Sequence, residues 1–114
     1  MKTIIATALL SLATLPAAAI EFTFAGTVQK IFALDKVNYG ADKSHILITG
    51  FAAAGTCPTS DGLIALVLRG DDGGRRQLSV ALSAKLMNRS VVVRAEDGLK
   101  NTSGQCYLKY LELN

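Results

Sequence analysis

Apolar and polar positions alternate in the segment that follows the apolar N-terminal stretch, and this period of two predicts a β-strand. The first predicted strand is Glu21–Phe32, in which Phe22 and Val28 share one face. Gly26 lies in its middle and is typical of a bend or bulge. Four further strands are predicted from apolar or β-branched runs: His45–Thr49, Leu63–Arg69, Ser90–Arg94 and Cys106–Leu113.

The period changes between the predicted strands Leu63–Arg69 and Ser90–Arg94. Over Leu78–Met87 the apolar residues recur every three or four positions, which predicts one short amphipathic helix with Asn88 as a left-handed C-terminal cap. Turn-forming residues predict loops over Asp35–Ser44 and Gly55–Gly62. The predicted fold is mainly β, and its order, β-β-β-α-β-β, is that of a five-stranded Greek-key barrel of the OB type. An open α+β sheet with one helix is the alternative.

The N-terminal residues have the three parts of a secretory signal peptide. Lys2 gives a positive start, Ile4–Leu15 is an apolar stretch, and small residues up to Ala19 fit the A-x-A cleavage pattern. The apolar stretch is shorter than the roughly 20 residues that a membrane-spanning helix needs. The sequence therefore predicts a cleaved leader over residues 1–19 and a single OB-like barrel domain over residues 20–114. It also predicts export to the bacterial periplasm or to the outside of the cell.

Composition and charge narrow the classes of function. The chain has 114 residues, of which 50% are hydrophobic, and this apolar content argues against disorder. Its net charge of +3 falls to +2 when Lys2 leaves with the leader. Nucleic-acid-binding domains usually carry a concentrated basic patch and a clearly basic total. We therefore expect no nucleic-acid partner and no membrane span in the mature chain.

The two cysteines, Cys57 and Cys106, predict one disulfide, because an even cysteine count in an exported chain is typical of disulfide bonding. Closing a loop of this length stabilises a fold by roughly 4 kcal/mol in the chain-entropy model. The chain has no C-x-x-C motif, and its single histidine has no ligand-like spacing to either cysteine. We therefore expect no metal and no cofactor.

Few residues are suited to catalysis. The chain has no G-x-S-x-G motif, and His45 is its only histidine. Ser44 and Asp42 are close to His45 in sequence, but a Ser-His-Asp triad is defined by spatial geometry rather than by such proximity. A polar histidine at a strand end is the simpler interpretation. The sequence therefore predicts a protein that is not an enzyme.

Four residues are candidates for ligand binding. Phe51 precedes an alanine-rich stretch, for which core packing is the simpler interpretation, and it would provide a contact surface if it were exposed. Arg75, Arg76 and Arg89 lie around the predicted helix and suit an anionic group such as a phosphate or an acidic sugar. A solvated basic face is the alternative for these three.

The overall arrangement resembles a known family. An export signal, a cysteine before the middle strand, a helix that leads into the segment Asn88–Arg94, and a late cysteine are similar to the small OB-fold B subunits of subtilase-cytotoxin-like and pertussis-like toxins. This chain is shorter and lacks the Glu-Trp start and the second cysteine pair, so no receptor-site residue is carried over. The resemblance implies a non-catalytic subunit that binds glycans and forms a homo-oligomer.

Two hypotheses of function follow. The first is a small exported, non-catalytic binding module that is stabilised by one disulfide and binds a glycan or a protein partner. The alternative is a periplasmic inhibitor or immunity-type protein that binds an enzyme. A rigid, protruding loop would favour that alternative, and Gly50–Gly62, braced at Cys57, is the candidate.

Overall fold

The structure is a computed structural model that describes residues 19–114. Apart from Ala19, the predicted signal peptide lies outside the described residues. The described chain is mainly β with one main helix, as predicted. Its elements, in chain order, are β1 (Glu21–Phe32), α1 (Lys36–Tyr39), β2 (His45–Ile48), β3 (Thr59–Ser60), β4 (Leu63–Ile64), β5 (Leu66–Val67), α2 (Asp72–Met87), β6 (Ser90–Lys100) and β7 (Cys106–Leu113).

The predicted third strand, Leu63–Arg69, is two short strands in the structure. The first of them, β4, pairs with β3 in a hairpin, whereas β5 pairs with β2 and β7. The hairpin turns at Asp61 and Gly62, which have φ angles of 54° and 80°, as a tight two-residue β-turn requires. Because the segment is apolar on both faces, its sequence pattern does not indicate that the pairing strand changes at Ala65.

The helix α2 begins at Asp72 rather than at the predicted Leu78. Its first turn is polar and therefore lacks the apolar period, but the Asp71 carboxylate caps it by accepting a hydrogen bond from the Gly74 amide at 3.0 Å. The predicted C-terminal cap is confirmed, because Asn88 has left-handed φ and ψ angles of 52° and 41°.

Two further boundaries differ from the prediction. The strand β6 continues past Arg94 to Lys100, because Glu96 still pairs with Glu21 of β1 and Lys100 pairs with Cys106 of β7. The predicted turn segment before β2 contains the short helix α1, in which the Val37 amide donates to the side chain of Asp35.

Five strands form one mixed sheet in the order β1-β2-β5-β7-β6, and β6 pairs back onto β1. The strand β1 pairs with β6 over Glu21–Thr27 and with β2 from Val28 onward, so it serves both halves of the sheet. Gly26 lies at this change of partner, where an added Cβ would be 2.8 Å from the Thr49 carbonyl oxygen. The parallel contact of β5 with β7 is a single residue pair, Val67 with Tyr107.

The core lies between the inner face of this sheet and α2. Its fully buried side chains come from β2, β4, β5, β6 and β7, and α2 contributes Ala81 and Ala84. The predicted disulfide is confirmed, with Cys57 joined to Cys106 and Cα atoms 5.5 Å apart. It ties the segment after β2 to the first residue of β7. The largest fully buried side chains are Ile46, Leu47, Ile48, Ile64, Leu66, Val67, Val91, Val93 and Cys106.

Candidate functional site

A cleft of about 180 Å³ opens where the segment between β1 and β2 faces the start of α2. We call it the Arg69 cleft. Apolar side chains and four cationic side chains share its walls, together with backbone from the turn before α2. Its lining residues are Leu34, Lys36, Gly40, Ala41, Asp42, Lys43, Ser44, Leu68, Arg69, Gly70, Gly74, Arg75 and Leu78.

Asp42 joins the walls of this cleft. Its carboxylate accepts a hydrogen bond from the Gly70 amide at 2.6 Å and another from the Tyr107 hydroxyl at 2.8 Å. Its backbone has a positive φ of 56°, a conformation that Asp and Asn tolerate better than other side chains. One residue therefore ties the segment before β2 to the turn before α2 and to β7.

These hydrogen bonds shift the protonation of both partners. The amide of Gly70, followed by the Tyr107 hydroxyl, holds the pKa of Asp42 below its ordinary value of 3.8. The hydrogen bond to Asp42 is the main cause that raises the pKa of Tyr107 above 10.0. The carboxylate is thus charged and the phenol neutral at pH 7, so the hydrogen bond between them is maintained.

The loop between β6 and β7 fixes the same wall from outside the cleft. Asn101 is buried, and its side-chain amide donates to the Asp42 carbonyl oxygen at 2.8 Å. Its side-chain oxygen accepts from the amides of Ser103 and Gln105. The ammonium of Lys43 contacts the hydroxyls of Ser103 and Thr102. The cleft wall is therefore held by hydrogen bonds in a set geometry.

The cations of the cleft differ in how they are engaged. The guanidinium of Arg69 lies 4.0 Å from the centre of the Tyr107 ring, in a cation–π contact. Neither Arg69 nor Lys36 forms an ion pair with a carboxylate of the described residues. Arg75 does form one, with Asp72 at 3.2 Å, and both of those side chains are exposed. Two cations of the cleft are thus available to a ligand.

A second cavity of about 240 Å³ lies on the other side of Arg69. Its wall includes Tyr107 and Gln77, and the Gln77 side chain donates to the Leu108 carbonyl oxygen at 3.2 Å. Lys109 also lines it, but its ammonium is paired with Glu21 at 2.6 Å. Arg69 separates the two cavities and is the unpaired cation that they share.

The structure disperses the four predicted ligand-binding residues. Phe51 is 3% exposed and stacks on Phe24 with ring centroids 4.7 Å apart, so it belongs to the core and provides no contact surface. Arg75 lines the Arg69 cleft, whereas the exposed Arg76 does not. Arg89 lies beyond the far end of α2, where it donates to the carbonyl of Asn114. Only Arg75 is part of the candidate site.

The cluster around His45 does not form a catalytic relay. Its Nδ1 lies 2.9 Å from the Lys43 carbonyl oxygen, and its ring stacks on Phe32 at 4.6 Å. The Ser44 hydroxyl instead accepts from the Leu34 amide at 2.9 Å, and the Asp42 carboxylate is engaged elsewhere. His45 is buried, and no hydrogen-bond partner meets its Nε2 within the described residues.

Comparison with known proteins gives no relative. No protein-family model, no curated protein and no solved structure matches the chain. Within residues 19–114, no three His, Cys, Asp or Glu side chains come together as a metal-ligand set. The helices of the same residues are too short or too polar to cross a membrane.

Sequence reasoning missed the residues that organise the cleft. Asp42 contacts residues that are 28 and 65 positions away, so no local pattern indicates its role. The one feature of the sequence that points to Asp42 is its position in a turn-rich segment, because Asp is common at left-handed positions of turns. The stacking of Arg69 on Tyr107 depends on the pairing of β5 with β7, which no local pattern indicates.

Proposed function

We propose that the protein is a small exported, non-catalytic binding module that takes its ligand in the Arg69 cleft. The observation that carries this proposal is the pair of cations, Lys36 and Arg69, that face a preformed cleft without a carboxylate partner among the described residues. The ligand is a terminal group of a glycan or a protein. The disulfide and the predicted leader support export, because disulfides persist in oxidising compartments.

The strand order supports an OB-like interpretation of the sheet. With the β3–β4 hairpin set aside, the order of the five sheet strands is first, second, third, fifth, fourth, and the third and fifth are parallel. OB-folds bind ligands with the face of their second and third strands and with two loops. The equivalent loops here are residues 33–44 and 101–105, and they are joined through Asn101 and Asp42. The Arg69 cleft opens beside this junction.

The charges favour a ligand with a single negative charge. Lys36 and Arg69 act on Asp42 from a distance, so one of the two positive charges is offset by that carboxylate. Arg75 is offset by Asp72, and the start of α2 is already capped by Asp71. With Lys43 counted as well, the four cations of the lining face three nearby carboxylates, Asp42, Asp71 and Asp72, so about one positive charge remains in excess. A carboxylate neutralises it, whereas a doubly charged phosphate would also face the acidic first turn of the helix.

The dimensions favour a terminal group over a long ligand. Drug-sized ligands occupy pockets of about 300–1,000 Å³, and the Arg69 cleft has about 180 Å³. Leu34, Leu68 and Leu78 provide apolar contacts for the carbon skeleton, and the planar guanidinium of Arg69 suits bidentate binding of a carboxylate. We infer that one carboxylate-bearing unit enters the cleft while the rest of the ligand lies outside.

A titration followed by NMR tests this function. The full chain is expressed for export, and the ¹⁵N-labelled product is titrated with glucuronate and with peptides that have a free C-terminus. Glucose and the C-terminally amidated peptides serve as neutral counterparts. We expect shifts at Ser44, Gly70 and Arg75 with the carboxylates only, because the neutral ligands lack the charge that Arg69 would bind. Shifts on another surface, or none with any ligand, would contradict the proposal.

Two matched arginine variants sharpen this test. Arg69→Gln should weaken carboxylate binding about tenfold or more, since hydrogen bonds to charged groups contribute about 1.5–3 kcal/mol. Arg76→Gln changes the net charge equally, but Arg76 does not line the cleft, so binding should be nearly unchanged. Equal losses in the two variants would indicate a diffuse electrostatic attraction instead of a site.

One feature favours the alternative, an enzyme inhibitor. The hairpin tip at Asp61 and Gly62 is exposed, and Lys30 braces it through an ion pair of 3.3 Å with Asp61. In the rest of the segment Gly50–Gly62 the large apolar side chain of Phe51 is buried, and the exposed residues are small, polar or proline. Capture of a periplasmic hydrolase by the wild-type protein, and its loss on exchange of the tip residues, would favour this function over the cleft.

A further inference from the structure

Ile20, the residue after the predicted cleavage position, is held at both backbone groups by Asp97. Its amide nitrogen donates to Asp97 Oδ1 at 2.9 Å, and its carbonyl oxygen accepts from the Asp97 amide at 3.2 Å. The pairing of Glu21 with Glu96 continues this contact into the β1–β6 ladder. The register of the sheet therefore fixes the Ile20 nitrogen beside a carboxylate.

The Asp97 carboxylate has no cationic partner among the described residues. The nearby carboxylates of Glu21 and Glu96 do have one, since Lys109 lies 2.6 Å and 3.5 Å from them. Two further cations lie close to this end of the sheet. The ammonium of Lys100 donates to Thr56 at 2.8 Å, and the guanidinium of Arg94 lies 4.4 Å from the centre of the Tyr110 ring. Asp97 is thus the carboxylate of this group that is left without a counter-charge.

Two glycines, Gly55 and Gly98, leave the space that the Asp97 carboxylate and the incoming chain occupy. A methyl group at Gly55 would overlap Asp97 Oδ2, and an added Cβ at Gly98 would lie 2.6 Å from the Ala19 Cβ. The hydroxyl of Thr56 lies 3.5 Å from the Asp97 carbonyl oxygen. Glycines on either side therefore leave room both for the carboxylate and for the chain that arrives at Ile20.

Cleavage after Ala19 changes the charge of this contact. Hydrolysis of the Ala19–Ile20 peptide bond consumes one water and leaves a carboxylate on Ala19 and a protonated amine on Ile20. We propose that the new ammonium of Ile20 pairs with the Asp97 carboxylate and closes the start of β1 onto β6. Removal of the leader thereby supplies the counter-charge that Asp97 lacks. Both partners of the contact are then charged, whereas the peptide amide of the uncleaved chain offers the carboxylate a neutral donor.

A glycine inserted between Ala19 and Ile20 gives the matched control. The cut after Ala19 is retained, but the ammonium moves one residue away, about 3.8 Å along the chain, and Ile20 keeps a neutral amide. Asp97→Asn is then made in the native and in the glycine-extended background. Urea unfolding at pH 7 is measured for all four exported proteins, and intact mass confirms each N-terminus.

We expect Asp97→Asn to raise the unfolding equilibrium constant about two- to fivefold more in the native background than in the extended one, as measured for partly exposed ion pairs. The difference should shrink at high salt, because screening weakens such pairs. An equal effect in both backgrounds would overturn the ion pair. A wild-type N-terminus other than Ile20 would also overturn it, and neither result bears on ligand binding in the Arg69 cleft.

Discussion

Asp42 shows how one side chain can set the geometry of a small site. Its carboxylate accepts hydrogen bonds from the Gly70 amide and the Tyr107 hydroxyl, and its carbonyl oxygen accepts one from the Asn101 side chain. A hydrogen bond to a charged group contributes about 1.5–3 kcal/mol, so this residue matters for stability as well as for the cleft. Asn and Asp also tolerate the positive φ of this position.

The lowered pKa of Asp42 gives a pH dependence with a defined sign. Because the pKa is lower in the folded state, the stabilisation is complete above the ordinary value of 3.8 and is lost as the pH falls through the folded value. We expect Asp42→Asn to reduce the loss of stability between pH 6 and pH 3, since the variant keeps the backbone preference but not the charge. Urea unfolding at both values measures it.

The pH experiment needs a second carboxylate for comparison. Lys109 also lowers the pKa of Glu21, so the Asp42→Asn variant should retain some acid sensitivity. Asp72→Asn is the control, because Asp72 makes one exposed ion pair, with Arg75. If Asp42→Asn and the wild type lose the same stability on acidification, the charged form of Asp42 does not stabilise the fold through its hydrogen bonds.

At the scale of elements, the sequence predicted the strands and the helix that have a regular hydrophobic period. It did not predict where an element begins or where a strand changes its pairing partner. The alternation along β1 and the three- and four-residue spacing over Leu78–Met87 reflect burial against one core, so both elements could be predicted. The start of α2 at Asp72 depends on a cap by Asp71, and the break at Ala65 depends on which strand lies alongside. Those are tertiary contacts, which a hydrophobic period does not record.

The end of α2 provides a test of a single backbone angle. Asn88 has a φ of 52°, in the left-handed region that costs an ordinary side chain about 1–2 kcal/mol. We expect Asn88→Ala to lower the free energy of unfolding by about 1 kcal/mol and Asn88→Gly to leave it unchanged or slightly raised. Urea unfolding measures both. Equal stabilities of the alanine and glycine variants would contradict a left-handed cap.

The change of partner along β1 depends on the absence of a side chain at Gly26. An added Cβ would lie 2.8 Å from the Thr49 carbonyl oxygen and 2.9 Å from Ile48 Cγ2, closer than packed carbon atoms approach. We expect Gly26→Ala to cost about 1–3 kcal/mol of stability through overpacking. Thermal and urea unfolding of the variant measure this loss.

Gly73→Ala is the matched control for that substitution. The same methyl group at position 73 meets only Asp71 Oδ1, at 3.3 Å, and alanine favours the helix by up to about 1 kcal/mol over glycine. Its effect should therefore be small or of opposite sign. A Gly26→Ala protein as stable as the wild type would mean that β1 and β2 can separate at this point without loss.

At the scale of the whole molecule, cross-links join parts that are distant in sequence. The hydrogen bonds of Asn101 and Asp42 join the two loops at the cleft, and the disulfide joins the segment after β2 to β7. The sequence predicted the disulfide because the chain offers one pairing of cysteines. It could not predict the loop contacts, because many other polar residues of the chain could form the same hydrogen bonds with Asn101 or Asp42.

Reduction of the disulfide should show how much this cross-link contributes. The bond between Cys57 and Cys106 spans 49 residues, and the chain-entropy model gives a stabilisation of about 4 kcal/mol for a loop of this length. That is a large part of the total for a small domain, which is typically about 5–15 kcal/mol. Urea unfolding of oxidised and reduced wild type measures the difference.

The double variant Cys57→Ala with Cys106→Ala separates loss of the cross-link from effects of the reductant. Since both side chains are buried in the core, the variant also loses some packing, and we expect it to be no more stable than the reduced wild type. The dependence of stability on urea should steepen in both, because an uncross-linked unfolded chain exposes more surface. An unfolding midpoint that does not move on reduction would mean that the sheet and the loop contacts alone hold residues 50–62 on β7.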